Sequence, residues 1–416
     1  MRRSTARVGA ISLGVIALLG CRPVAVNLPE PDHGMLAVGV TGRPGLSDDG
    51  DVVAFESSDF LSGEDDLNKS DIWARDVRDG HTQLMSISPG GAQDPCGSSI
   101  PVISGDGRSV SWSACSGLWD VPPPPGTVGT NLFVRDRSTG AVEHIGIPEE
   151  LGFQGGGWGL LDDDATHIVL GCDPGPRPTV LASVCVQDRR THETTVVARR
   201  TDGQIVPGFV SPTSISDDGN LVTFAAPVRS VIPGSTDNRL QLFVRDVAAG
   251  VTQQVIIDPA ILPSHLEGRI SGDGTAAVVW QTGPPYHVAH KDLVTGAVRR
   301  VDQADCTDVA PSTDSPFASI SDDGDVVAFH STSAELVAND TNGHEDVFVW
   351  RAGHPCTLQR VSVDLGVREG DGDSYWPEVS GDGSSVAFVS AATNFPNDPT
   401  PDAVDAFVVR IGPRGH

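Results

Sequence analysis

The sequence predicts an all-β chain folded as a seven-bladed β-propeller, each blade a four-stranded antiparallel sheet. Three observations predict it. A Ser-x-Asp-Gly turn recurs seven times, one copy degenerate, at intervals of 50 to 59 residues. An alternating strand follows each turn. A spare β segment ahead of the first turn can close a ring. A repeat of this length is one supersecondary unit that buries its faces only by packing on its neighbours.

The turns are Ser47-Asp48-Asp49-Gly50, Ser104-Gly105-Asp106-Gly107, Ser216-Asp217-Asp218-Gly219, Ser271-Gly272-Asp273-Gly274, Ser321-Asp322-Asp323-Gly324 and Ser380-Gly381-Asp382-Gly383. The degenerate copy is Leu161-Asp162-Asp163-Asp164-Ala165. Asp-Gly between apolar runs signals a hairpin, because Gly supplies the positive φ the turn needs. Five positions after the Gly, or after Ala165, come Phe55, Trp112, Leu170, Phe224, Val279, Phe329 and Phe388. Two positions before these come Val53, Val110, Ile168, Val222, Ala277, Val327 and Val386. A step of two places both sets on one face of a strand.

A second recurrent strand follows, as in Asp71 to Asp76, Asn131 to Asp136 and Asp346 to Arg351, and most copies then turn at a Gly into a short outer strand. Each unit is therefore a four-stranded meander. One such sheet buries too little to stand alone, whereas seven packed face to face around a channel protect their edges. The last unit stops after its third strand, at Ile411, and Met35 to Val40 has the look of the missing outer strand. The expectation is that residues 35–40 pair beside the last strand and close the ring.

The run from Ile320 to Ser331, followed by Asp340 to Val349, resembles the WD40-like (PD40) propeller repeats of TolB-type proteins. The resemblance covers residues 35–411 and implies the propeller fold. The units at 161 and 271 depart most from the pattern, and the partner contacts of TolB are not carried over.

At the other end of the chain, Arg2, Arg3 and Arg7 precede an apolar run from Val8 to Leu19. This is the charge and length pattern of a secretory signal, and the run is too short to span a bilayer as a folded helix. It ends Leu18-Leu19-Gly20-Cys21, which resembles the lipobox of bacterial lipoproteins. The resemblance implies lipidation of Cys21, with residues 1–20 the signal, 21–34 a tether and 35–416 the propeller. The alternative is an ordinary signal peptide with an incidental cysteine. Arg rather than Asp at residue 22 implies, by the same resemblance, the outer membrane of a two-membrane bacterium; a cell-surface anchor is the other location.

Asp and Glu number 55 against 28 Lys and Arg, a net charge of −27. That balance argues against a duplex nucleic-acid binder, which needs clustered cations. Strand direction alternates through a blade, so the Asp-Gly and Thr-Gly turns share one end of the ring. The long connections share the other, and function on rigid scaffolds concentrates in such loops. The long-loop face is acidic, with Glu64, Asp65, Asp66, Asp398 and Asp402 as candidate binding residues. Such a face prefers cations, basic proteins or, through metal, oxygen-rich sugars; the plainer reading is that these acids keep an exported surface soluble.

Asp340-x-Asn342-x-His344-x-Asp346 spaces oxygen donors two residues apart, as calcium loops do, and makes calcium the one cofactor the spacing admits. The competing reading is Asp and Asn side chains bonding their own turns. The twelve His show no ligand spacing, and no Gly-x-Ser-x-Gly nucleophile elbow is present.

Once Cys21 is set aside, six cysteines remain, an even number that suggests disulfides in an exported chain. Adjacent strand ends pair Cys96 with Cys115 and Cys172 with Cys185. Cys306 and Cys356 remain by elimination, although the strand directions put them at opposite ends of the ring. The expectation is a monomeric, lipid-anchored envelope propeller that binds a protein or glycan through its long-loop face. The alternative is a polysaccharide lyase or glycosidase with its site in the channel.

Overall fold

The computed structural model describes residues 23–25, 40, 42–58, 61, 63, 69–115, 120–151, 159–173, 183–208, 210–258, 261–262, 264–304, 306–307, 309, 312–314, 316–363, 368–395 and 404–412. Seven four-stranded antiparallel sheets form a β-propeller. Helix among the described residues is confined to Val228–Val231 and a 3-10 turn at Glu149–Leu151. No helix of the described residues is long and apolar enough to cross a membrane.

The repeat positions pack as the sequence predicts. Both recurrent sets, from Phe55 to Phe388 and from Val53 to Val386, are 0% exposed. The larger residues also face an aromatic across the sheet: Phe55 opposes Trp73, Trp112 opposes Phe133, Phe224 opposes Phe243, Phe329 opposes Phe348, and Phe388 opposes Phe407. In the last four pairs the rings stack with centroids 5.7–6.0 Å apart, a spacing that adds to area burial. In the degenerate third blade Leu170 opposes Cys185 instead.

The turns also show why the motif needs its Ser and Asp. Ser47 Oγ accepts from Val52 N–H at 3.0 Å and donates to Asp49 Oδ1 at 2.7 Å, while Asp49 Oδ1 accepts from Asp51 N–H at 2.9 Å. The same set recurs around Ser216 and Asp218, and around Ser321 and Asp323. The turn glycines lie at φ +67° to +73°, and Ala165 takes +54° in the degenerate unit. The backbone of the motif's second residue bonds from blade to blade. Asp48 N–H donates to Gly105 O at 2.8 Å, Asp322 N–H to Gly381 O at 2.9 Å, and Asp382 N–H to Asp48 O at 2.8 Å. The last of these joins blade seven to blade one.

The ring is closed by an N-terminal strand, though not the one expected. Pro23–Ala25, from the segment read as a tether, pairs antiparallel with Asp405–Arg410 and completes the seventh blade. Residues 35–39 lie outside the described residues. Val40, at the end of that run, donates its N–H to Val404 O at 2.7 Å and is buried in the core between blades one and seven. The apolar character of Val40 thus serves packing between blades, a role that alternation alone does not distinguish from an outer strand.

All three disulfides are present: Cys96–Cys115, Cys172–Cys185 and Cys306–Cys356. The strand directions misplaced the third. Cys306 lies in the connection that follows Val298–Arg300, and Cys356 lies in the turn before Leu358–Arg360. Val301, Val309 and Phe317 of that connection pack in the same cluster as Trp350 and Leu358. The connection therefore reaches the next blade's turn, and strand polarity gives no information about the path of so long a loop.

Candidate functional site: the central channel

The innermost strand of each blade lines a central cavity of about 630 Å³, within the range of ordinary ligand sites. Its lining follows the repeat. Four residues before the motif Ser stand Arg43, Ile100, Pro212, Glu267, Phe317 and Trp376, at the long-loop end. Two residues before it stand Gly45, Val102, Ser214, Arg269 and Glu378. One residue after it stand Asp48, Gly105, Asp217, Gly272, Asp322 and Gly381, joined by Asp163 of the degenerate copy, at the short-turn end.

Sequence reasoning favours the long connections over the short-turn end. The channel carries its densest charge there. A side chain at Gly105 would collide with the carboxylates of Asp48 and Asp163, and one at Gly381 with those of Asp322 and Asp48. The glycines thus make room for the acids, and the alternation of Asp and Gly at the motif's variable position was the signal available in the sequence. Burial, the Asp322 charge and a hydrogen bond from Asp163 push the Asp48 carboxyl up to about 8. Burial and the charges of Asp217 and Asp163 push Asp322 up to about 7, and burial with Asp163 pushes Asp217 up to about 6. Carboxyls so placed hold protons near neutral pH.

The long-loop end is aromatic and carries both charges, Arg43 and Arg269 beside Glu267 and Glu378. The guanidinium of Arg43 lies 4.2 Å from the Phe317 ring centroid and that of Arg269 lies 4.9 Å from it. Arg269 also bonds Glu378 at 2.6 Å. Trp280 meets Phe317 edge-on at 5.3 Å. Burial and the Arg269 charge push Arg43 down to about 10. Three inner strands bulge here, and in two of them Ile100 and Trp376 take φ of +59° and +54°. Such values in bulky residues are outliers that cluster at functional sites.

The predicted calcium residues come together around an arginine. Arg360 Nη1 lies 3.3 Å from Asp340, 3.2 Å from Asp346 and 2.9 Å from Glu369. Asn342 donates to Asp346 at 3.1 Å and accepts from His344 N–H at 3.1 Å. Ser362 donates to Asp346 at 2.5 Å. Burial and the Asp346 charge push Asp340 up to about 6. Among the described residues no group of three or more His, Cys, Asp or Glu is arranged to hold a metal ion. The buried His287 and His290 are taken up by Asp302 at 2.7 Å and Gly324 O at 3.0 Å. Cys21, Glu64, Asp65, Asp66, Asp398 and Asp402 lie outside the described residues.

No family model matches the chain. No curated protein matches it either. Solved structures do. An oligogalacturonate lyase from Vibrio parahaemolyticus aligns with a TM-score of 0.54 at 12% identity, over 94% of this chain and 97% of that one. The β-propeller domain of the Trilobed protease from Pyrococcus furiosus aligns with a TM-score of 0.52 at 11% identity, over 90% and 96%. TolB from Acinetobacter baumannii aligns with a TM-score of 0.43 at 14% identity over 70% of this chain, which spans 59% of that TolB chain. At these identities the likeness is one of fold, and by fold the chain is a seven-bladed β-propeller, an architecture that serves as a binding scaffold and also underlies lyases and peptidases.

Proposed function

We propose that the protein is an exported envelope propeller, anchored through lipid on Cys21, that binds a protein or glycan at its long-loop end. The observation that carries this reading is the channel mouth at that end, where Arg43, Phe317 and Trp376 wall a cavity beside strained backbone at Ile100 and Trp376. Three disulfides fit an oxidising, exported compartment. The acids at 64–66, 398 and 402 fall, by sequence, in the long connections of blades one and seven, and this reading gives them a share of the contact.

Two experiments test the parts separately. Cys21→Ser should move the protein from the membrane to the soluble envelope fraction; retention in the membrane removes the lipid anchor from the reading. Capture from envelope extract should fall at least tenfold when Glu64, Asp65, Asp66, Asp398 and Asp402 are changed to Lys. Capture unaffected by that reversal removes those acids from the contact.

A second reading, chemistry in the channel, draws on the carboxyl pair of Asp48 and Asp163 at the floor of the cavity. Two carboxyls side by side, with Asp48 held protonated by burial, can serve acid–base chemistry. Turnover of an envelope or plant polysaccharide, lost in Asp48→Asn, would replace the binding reading by this one.

A further inference from the structure

We propose that the channel mouth holds a site for a hydroxy acid, in which Arg43 receives the ligand's carboxylate and His330 its hydroxyl. The inference rests on the reading of the long-loop end as the binding side, and it names the ligand chemistry.

His330 is the first support. It sits in the second strand of blade six, Val326–Ser331, lines the cavity and is 6% exposed. Its Nδ1 lies 2.8 Å from Glu345 Oε1. Its Nε2 has no hydrogen-bond partner among the described residues. A buried polar atom left in that state costs free energy until something satisfies it. A hydroxyl both donates and accepts, so it answers Nε2 in either tautomer.

Arg43 is the second. Its guanidinium rests on Phe317, whose carbonyl accepts the backbone N–H of His330 at 3.4 Å, so the two groups flank one residue. Glu378 is bonded to Arg269. Glu267 and Glu378 attract Arg43 at longer range, and no described residue hydrogen-bonds it. A planar guanidinium held over an aromatic face, with its donors uncommitted, is suited to take a carboxylate in bidentate fashion. Trp280 and Trp376, which also line the mouth, offer apolar walls for the carbon skeleton between the two polar groups.

Depth is set by the floor. The floor, lined by the carboxyls of Asp48, Asp163, Asp217 and Asp322, offers a carboxylate no cation, so the anion stays in the Arg43 layer. The same chemistry comes from two sources, a free hydroxy acid or the terminal sugar acid of a glycan.

Calorimetric titration of the purified protein with glucuronate, glucose, cyclohexanecarboxylate and a glucuronate-terminated oligosaccharide tests the proposal. Glucuronate should bind at least tenfold tighter than glucose, which lacks the carboxylate, and than cyclohexanecarboxylate, which lacks the hydroxyls. Arg43→Gln and His330→Phe should each weaken it tenfold or more, with Arg43→Lys in between. Tighter binding of the oligosaccharide than of the monomer assigns the glycan source, and equal binding the free acid; both support the site. Saturation-transfer signals on glucuronate with the unsubstituted protein give a readout independent of whether a variant folds. Absence of binding by both glucuronate compounds, equal affinity for glucose, or undiminished binding by both variants would overturn the site. Should envelope capture persist while the glucuronate compounds fail to bind, the ligand assignment falls and the binding side stands.

Discussion

Asp48 of blade one and Asp163 of blade three hydrogen-bond through their carboxyl groups, in the space that Gly105 of blade two leaves open. Burial and the neighbouring carboxyls favour the protonated form of Asp48, so the folded protein binds protons more tightly than the unfolded chain. With Asp48 raised to about 8, Asp322 to about 7 and Asp217 to about 6, all above the 3.8 of a free carboxyl, their contribution to stability is full below about pH 4. It is lost as pH rises through those values. Melting should therefore occur at a lower temperature at pH 8 than at pH 5. Asp48→Asn should reduce the difference and raise stability at pH 8 by on the order of 1 kcal/mol. Equal pH slopes for the two proteins would show that Asp48 is not the group that takes up the proton.

The glycines of the floor are required by space. Gly381→Ala places a methyl against the carboxyls of Asp322 and Asp48 and should cost about 1–3 kcal/mol, the range of overpacking. Adding Asp322→Ala should recover part of that loss, because the two changes touch and are not additive. A double variant no more stable than Gly381→Ala by denaturant titration would place the clash elsewhere.

Arg360 neutralises a buried acidic cluster. Asp346 and Asp340 are 0% and 4% exposed, so Arg360→Met leaves them without a cation. Breaking such a pair costs about 3–5 kcal/mol at neutral pH. The cost should shrink at pH 5, since Asp340 takes a proton near pH 6. A loss independent of pH would assign the effect to packing rather than to charge.

The disulfides should differ in worth by the loops they close. Cys306–Cys356 spans 50 residues and Cys172–Cys185 spans 13. On chain entropy, removing the first pair by Ala substitution should cost about 4 kcal/mol and the second about 3 kcal/mol. A reversed order would show that native packing around Cys185, buried in blade three, outweighs loop closure.

Blade number, strand boundaries and core were legible in the sequence because each is written seven times. Phe55, Trp112 and their counterparts stand at one offset from one turn, and a single period-two face accounts for all of them. What occurs once was harder to read. Val40 and Pro23–Ala25 both lie before the first turn, and apolar alternation does not say which segment pairs and which packs. The path of Cys306 depends on a long connection that strand polarity does not constrain. The channel was hidden for a different reason. Its residues, Arg43, Phe317 and Trp376 at the mouth and Asp48 and Asp322 at the floor, occupy equivalent positions but are chemically unlike one another. A search for conserved repeat letters passes over the positions where the blades differ, and those are the ones that line the cavity.

Hydrogen–deuterium exchange of the protein alone and with the partner it captures from envelope extract bears most directly on where the molecule works. Protection confined to the mouth, at residues 42–44, 100–101, 316–317 and 375–377, is the expected result. Protection of the turns at 47–50, 321–324 and 380–383, with the mouth unchanged, would contradict it and move the working surface to the opposite end of the ring.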